Sequence, residues 1–175
     1  LAVGSDLGVG DLLQGMPDGF LKIRSLDHKG KIESLPFNKW ISETAADIIN
    51  EEKEVGISID RVQDDRIGTV EFDKQKCDTV LTNILMNAVK HSKRGDTIQV
   101  KTELCEDMVR VTVSDQGPGL GNIDQNRLFT RFYQSNNEQY GSGIGLSFSK
   151  ILVEMHGGRI GATNNEERGV SFWWE

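Results

Sequence analysis

Two glycine clusters constrain this chain more than any other feature: Asp115-Gln-Gly-Pro-Gly-Leu120 and Gly141-Ser-Gly-Ile-Gly-Leu146. The first follows directly on the apolar run Met108–Val113, and the second opens a stretch of helical pattern. Between them lies a polar segment holding an aromatic knot, Leu128-Phe-Thr-Arg-Phe-Tyr133. A strand, a glycine turn, a long loop and a glycine-rich helix start suit a phosphate-bearing ligand. Glycine lets backbone N–H groups approach an anion, and a helix N-terminus adds partial positive charge. Taken singly, either cluster also fits a plain strand-exit turn or a helix cap. Their coupling to the helix upstream separates these readings.

That helix is expected over residues 74–92, where Cys77, Val80, Leu81, Ile84, Leu85, Ala88 and Val89 recur at i, i+3, i+4 spacing and mark a buried face. Beside this face runs a polar stripe of Asn83, Asn87, Lys90 and Arg94. Asparagine is a poor helix former, because its amide competes for backbone hydrogen bonds. A solvated surface would explain the stripe. The functional alternative is a carboxamide oxygen for a hard cation such as magnesium, with ammonium and guanidinium groups for phosphates.

Upstream, residues 1–20 are glycine-rich and weakly patterned, and Leu21–Leu26 reads as the tail of a helix stopped near Gly30. Phe37, Trp40, Ile41, Ala45, Ile48 and Ile49 follow Pro36 at helical spacing and predict a helix that ends before Gly56. Ile57 and Ile59, then Val70 and Phe72, suggest two short strands around an Asp64-Asp65 turn. Ile98, Val100, Thr102 and Leu104 alternate as a strand, and Met108–Val113 returns as its hairpin partner. Residues 116–142 are too long and polar for a casual loop, which predicts a lid. Phe129, Phe132 and Tyr133 within it are either a minor core plug or a docking surface. A helix over 143–156 carries Ile144, Phe148, Ile151, Leu152 and Met155 on one apolar face, and Gly157-Gly158 ends it. Arg159–Thr163 and Gly169–Trp174 close the chain as strands.

This order predicts an α/β fold, a two-layer sandwich with a mixed, mainly antiparallel sheet packed on helices. It is not a βαβ repeat, so the glycines are not a Rossmann fingerprint, and no Gly-Lys-Ser/Thr follows them as in a Walker loop. At 175 residues the chain accommodates one domain. The net charge of −7 argues against nucleic acid or an anionic membrane as partner, and it requires local cations at any polyphosphate site. Cys77 and Cys105 lack metal-ligand spacing and read as reduced core residues, while His28, His91 and His156 are scattered. No run reaches membrane-spanning length. A chain that begins at Leu1 reads as a fragment of something longer.

Asn83-Ile-Leu-Met-Asn-Ala-Val-Lys-His91, Asp115–Leu120, Leu128–Tyr133 and Gly141–Leu146 resemble, in order and spacing, the asparagine, first glycine, phenylalanine and second glycine boxes of sensor histidine kinases. The resemblance covers roughly residues 36–175 and implies the Bergerat-type ATP-binding fold shared with gyrase, the Hsp90 chaperones and the MutL mismatch-repair proteins. It implies ATP and Mg2+ as cofactors. Asp115 is expected to accept from the adenine amino group, with Gly117, Gly119 and Leu120 beside the purine. Asn87 is the expected magnesium ligand, with Asn83 beside it, Lys90 meeting the phosphates and His91 among the nucleotide-binding residues. Gly141, Ser142, Gly143, Ile144, Gly145 and Leu146 are expected to hold the β- and γ-phosphates. Arg131 would reach the γ-phosphate, and Asn83 and Arg131 are the candidate catalytic groups.

ATP-hydrolysing relatives generally carry a glutamate as general base where this chain has Asn83, which cannot take a proton. The resemblance therefore implies phosphoryl transfer to a protein histidine rather than hydrolysis. No phosphoacceptor motif surrounds His28 or His156. The acceptor is then expected on dimerisation helices of the parent protein, with residues 1–35 a leader that includes a stub of the second helix. A response-regulator receiver domain is the further expected partner. The expected location is cytoplasmic, with the parent anchored in the inner membrane and no direct membrane contact from this fragment. The family usually has Thr or Ser after the last glycine and Leu-Pro near the end; here Val170 follows Gly169, and the ending is Phe172-Trp-Trp-Glu175. The alternatives are a non-catalytic nucleotide- or partner-binding module of the same fold and a serine kinase of the anti-sigma-factor type. A hydrolysing ATPase ranks last because of Asn83.

Overall fold

A computed structural model of the chain describes residues 30–51, 56–131 and 143–175. The chain divides into two compact units, residues 1–31 and 32–175, and the elements below belong to the second. The helix tail expected at Leu21–Leu26 lies outside the described residues.

Strand periodicity explains the main sheet. Ile98 and Val100 on β4 (Thr97–Cys105) and Val111 and Val113 on β5 (Met108–Ser114) are fully buried. These two strands form the expected hairpin, with Cys105 opposite Met108. β7 (Val170–Trp174) turns Val170, Phe172 and Trp174 inward and pairs antiparallel with β5 and with β6 (Ile160–Asn164). The five-stranded order is β2-β4-β5-β7-β6, with β2 (Ser58–Gln63) parallel to β4.

β2 and β3 (Thr69–Asp73) do not pair across the Asp64-Asp65 turn. Asp64 explains why. Its carboxylate accepts hydrogen bonds from the Arg66 side chain and backbone and from Leu104 N, which fastens the turn to β4. The Arg66 side chain and these N–H groups hold the Asp64 carboxyl well below the usual carboxylate range. β3 instead pairs antiparallel with β1 (Ile32–Pro36) in a separate ribbon. The sequence reading has no counterpart for β1. Its residues alternate only between exposed and half-buried, so it carries no apolar strand signal.

The helices cover the inner face. α1 (Phe37–Glu51) buries Phe37, Trp40, Ile41, Ala45 and Ile48, as its spacing predicts. Phe37, Trp40 and Phe72 pack with ring centroids 4.7 to 5.4 Å apart. Trp40 Nε1 donates at 2.7 Å to Asp78 of the next helix, α2 (Lys74–His91), joining the two helices. α2 (Lys74–His91) buries Val80, Leu81, Ile84, Leu85, Ala88 and Val89. Each of these valine, leucine and isoleucine side chains contributes roughly 1.5–3 kcal/mol. Cys77 is only half-buried, and burial pushes its thiol up to about 12. Cys105 is also half-buried rather than core.

α4 (Gly145–Met155) departs from its apolar periodicity. Leu152 and Val153 are buried together with Ser147 and Ser149, while Met155 is 46% exposed. Ser147 and Ser149 satisfy their hydroxyls on the carbonyls of Ile144 and Gly145, so small residues can face the core without a polar penalty. The short α3 (Gln125–Leu128) lies in the segment expected as a lid, where Leu120 and Leu128 are buried. Phe129 is half-buried; Phe132 and Tyr133 lie outside the described residues. No helix among the described residues is long and apolar enough to cross a membrane.

The start of α2 is fixed by a buried ion pair. Asp73 accepts from Lys76 N at 3.1 Å as the N-cap and pairs with Lys76 Nζ at 2.8 Å, while its own backbone N donates to His156 Nε2. Burial pushes the Asp73 carboxyl upward, but the Lys76 side chain and N–H outweigh it and hold it below the usual range. This pair stabilises the fold above the ordinary carboxylate pKa of 3.8, and the contribution fades as pH falls through the lowered value. Asp73→Ala should destabilise the domain by about 3 kcal/mol or more, because it strands a buried lysine and removes a cap. Urea denaturation at neutral pH measures this loss; one below about 1 kcal/mol would contradict it.

Candidate functional site

The inward phase of β5 runs through Val111 and Val113 to Asp115, which is only 2% exposed at the end of the strand. A buried carboxylate must fill its lone pairs. Asp115 Oδ1 accepts from Gly117 N at 2.8 Å and from Val170 N at 3.1 Å. Asp115 N donates to Val170 O, and Asp115 O accepts from Asn165 Nδ2, both at 2.9 Å. Burial raises the Asp115 carboxyl above its ordinary value, and nearby Asp96 adds to this; the N–H groups of Gly117 and Val170, with His91, pull the other way.

The glycines here are required by close approach. A Cβ on Gly169, which has φ +92°, would lie 2.0 Å from Asp115 O, and one on Gly117 would lie 2.8 Å from His91 O. Gly119, at φ +81°, faces Asn164, whose Oδ1 accepts from Leu120 N at 2.7 Å. The structure thus brings Asp115 and Gly117 beside His91 at the C-terminal end of α2, and holds Gly119 and Leu120 against Asn164. Val170, where Thr or Ser is usual, contributes its backbone N–H to Asp115, a role any non-proline side chain allows.

The other end of α2's polar stripe meets the second glycine cluster. Asn83 Nδ2 donates to Gly145 O at 3.2 Å and to Ser149 Oγ at 3.1 Å, tying the first turn of α4 to α2. About 12 Å of helix separates Asn83 from His91, at roughly 1.5 Å per residue. Asn87 lies between them, half-buried, and Lys90 is exposed. Arg94 leaves the stripe: it falls beyond the C-cap Ser92, and its side chain covers Gly56. Gly143, at φ +64°, and Ile144 lead into α4, where no side chain hydrogen-bonds the N-cap. The first-turn N–H groups of a helix lack intrahelical acceptors and carry partial positive charge, which suits an anion. Arg131 is exposed; Gly141 and Ser142 lie outside the described residues.

No group of three or more His, Cys, Asp or Glu among the described residues would hold a metal. A carboxamide such as Asn87 is a suitable single oxygen donor for magnesium, which takes its other ligands from phosphate and water. The sequence reading missed Asn164, Asn165 and Ser171 around Asp115. An Asn-Asn pair between two strands signals only a turn.

A buried acceptor beside the C-terminal end of α2 and a glycine-rich helix start tied to the middle of α2 at Asn83 define a nucleotide-binding α/β sandwich. Residues 72–175 match the family described as histidine kinase-, DNA gyrase B-, and HSP90-like ATPase, and the chain belongs to that family. It is 36% identical over 124 residues to the adaptive-response sensory kinase SasA of Prochlorococcus marinus, covering 69% of this chain and 32% of that protein. It is 31% identical over 169 residues to the sensor histidine kinase WalK of Bacillus subtilis, covering 93% of this chain and 27% of that protein. The chain therefore spans no more than about a third of the length of these relatives. Among solved structures, the nucleotide-free catalytic domain of histidine kinase ThkA is similar, with a TM-score of 0.74 and 26% identity over 82% of this chain and 93% of that one. Full-length ShkA in complex with AMPPNP shares the fold, with a TM-score of 0.75 and 24% identity over 83% of this chain and 31% of that one.

Because the Asp115 pKa is raised in the folded state, its contribution to stability is lost as pH rises from the ordinary 3.8 through the raised value. The stability of Asp115→Asn relative to wild type should therefore improve as pH rises from about 4 to about 7. Denaturation at both pH values tests this, and a pH-independent difference would contradict it.

Proposed function

We propose that residues 36–175 bind magnesium-ATP and pass the γ-phosphoryl group to a histidine on dimerisation helices of the parent protein. A response-regulator receiver domain would take it from there. One arrangement carries this reading: α2 joins a buried carboxylate at the first glycine turn to the glycine-rich start of α4, with Asn83 where a general base would stand.

Asp115 Oδ1 is occupied by two backbone donors, so Oδ2 is the oxygen we assign to the adenine amino group. Gly117, Gly119 and Leu120 flank the base. Gly141, Ser142, Gly143, Ile144, Gly145 and Leu146, with the α4 N-terminus, cradle the terminal phosphates. Lys90, His91 and Arg131 add positive charge or donors in a chain whose net charge of −7 otherwise repels the ligand. Magnesium, which Asn87 would help hold, supplies charge neutralisation across the phosphates.

Asn83 acts as a clasp on α4 and takes no proton, so water goes unactivated and transfer to a protein side chain is favoured over hydrolysis. The chain's work is then positioning and electrostatic stabilisation. The sensor-kinase names of the relatives support this reading over a non-catalytic module. We place the domain on the cytoplasmic side of the parent, where ATP is, with any membrane anchor outside it. Residues 1–31, which precede β1, we assign to a leader toward the dimerisation helices.

The chain alone should not become labelled by radioactive ATP, but it should label a supplied acceptor-helix domain. The label should be acid-labile and base-stable, as phosphohistidine is. Label on serine, or none despite ATP binding, would overturn the reading. Asn83→Ala should slow transfer by about tenfold or more by loosening the α4 start, with the adenine-end contacts at Asp115 intact.

A further inference from the structure

The β6–β7 turn grips the first glycine box from both sides. Asn165 donates from Nδ2 to Asp115 O at 2.9 Å and to Arg168 O at 3.3 Å. Its own Oδ1 accepts from the Ser171 hydroxyl at 2.6 Å, and its backbone N donates to Gly169 O at 3.0 Å. The Ser171 hydroxyl in turn shares a 2.6 Å hydrogen bond with that of Ser114, the residue before Asp115. The neighbouring Asn164 reaches the far end of the box. Its Oδ1 accepts from Leu120 N at 2.7 Å and its Nδ2 donates to Gly121 O at 3.4 Å. Two adjacent side chains therefore hold the box at Asp115 and at Leu120–Gly121. Neither asparagine belongs to the family boxes that mark the ligand site.

We infer that Asn165 and Asn164 are positioning residues for base recognition, with Asn165 fixing the Asp115 backbone and Asn164 fixing the exit of the glycine turn. The inference rests on the proposed ATP site. Asp115 Oδ1 takes its two N–H bonds only if the Asp115 backbone stays fixed relative to β7 and the turn. Among the described residues, Asn165 Nδ2 supplies the side-chain hydrogen bond to the Asp115 backbone carbonyl. Without it, strand pairing still holds Asp115 N, but the carbonyl and the peptide leading to Gln116 are free to rotate. The carboxylate then loses its aim toward the base, whereas contacts at the phosphate end, on α4 and Asn83, are untouched.

The two asparagines act through opposite ends of their amides, which allows a test by isosteric change. Asn165 works as a donor to Asp115, so Asn165→Asp should behave like Asn165→Ala. Asn164 works chiefly as an acceptor from Leu120 N, so Asn164→Asp should retain function and Asn164→Ala should not. The readout is the ratio of affinities for ATP and for ITP, whose base carries a 6-oxo group in place of the 6-amino group. Wild type should prefer ATP. Asn165→Ala and Asn165→Asp should reduce that preference by about tenfold, the size of a lost charge-oriented hydrogen bond, with ITP affinity unchanged. Asn164→Asp should restore most of what Asn164→Ala loses.

Equal weakening of both nucleotides would mean a merely structural role and overturn the inference, as would an ATP preference that survives Asn165→Ala. If Asn165→Ala fails to fold, the isosteric Asn165→Asp and Ser171→Ala, which frees the Asn165 oxygen, decide the matter by the same ratio. A wild-type chain without ATP preference would overturn the nucleotide reading itself, and the inference with it. The wild-type measurement thus separates the two failures.

Discussion

A carboxylate taken out of water costs several kcal/mol unless hydrogen-bond donors fill its lone pairs, and the fold is arranged around meeting that requirement at Asp115. The donors are backbone N–H groups of Gly117 and Val170, from the turn that follows β5 and from the strand beside it. Bringing both to one oxygen forces β7 against β5 and the glycine turn against the end of α2. No side chain fits at Gly169 or, without displacing His91, at Gly117. The same arrangement leaves a rigid, oriented acceptor where strand, turn and helix meet. The bonds to Oδ1 fix the carboxylate and leave Oδ2 for the ligand that we propose.

α2 carries that geometry to the glycine-rich start of α4. Its apolar face is anchored in the core and its first turn is locked by the Asp73–Lys76 pair, so the polar stripe is held in place. Asn83 spends its amide on α4, which sets where the glycine-rich helix start lies relative to Asn87 and His91. The distance between the two glycine boxes is thereby a property of helix rise, not of the loop that joins them in sequence.

Much of this was legible beforehand where one periodicity dominates. α1, α2, β4, β5 and β7 follow apolar spacing because each buries one face and exposes the other. Asp115 could be placed as well, since it continues the inward phase of Val111 and Val113. α4 misleads because its buried side includes Ser147 and Ser149, whose hydroxyls are satisfied within the helix and so cost little to bury. β1 is silent because a two-stranded ribbon buries little. The pairing of β2 is silent because a carboxylate at Asp64 redirects the chain to β4.

The sequence by itself determined the four boxes, the elements that carry them and the chemistry they favour, since glycine, asparagine and aspartate in those positions are local choices of backbone freedom and hydrogen-bonding type. Tertiary structure alone decided which groups share an atom: that Val170 offers Asp115 an N–H rather than a side chain, that Arg94 leaves the stripe, and that Asn164 and Asn165 hold the first box from a strand turn some 45 residues on. Those contacts depend on the sheet order β5-β7-β6, and strand order arises from the packing of the whole core, which no local pattern records.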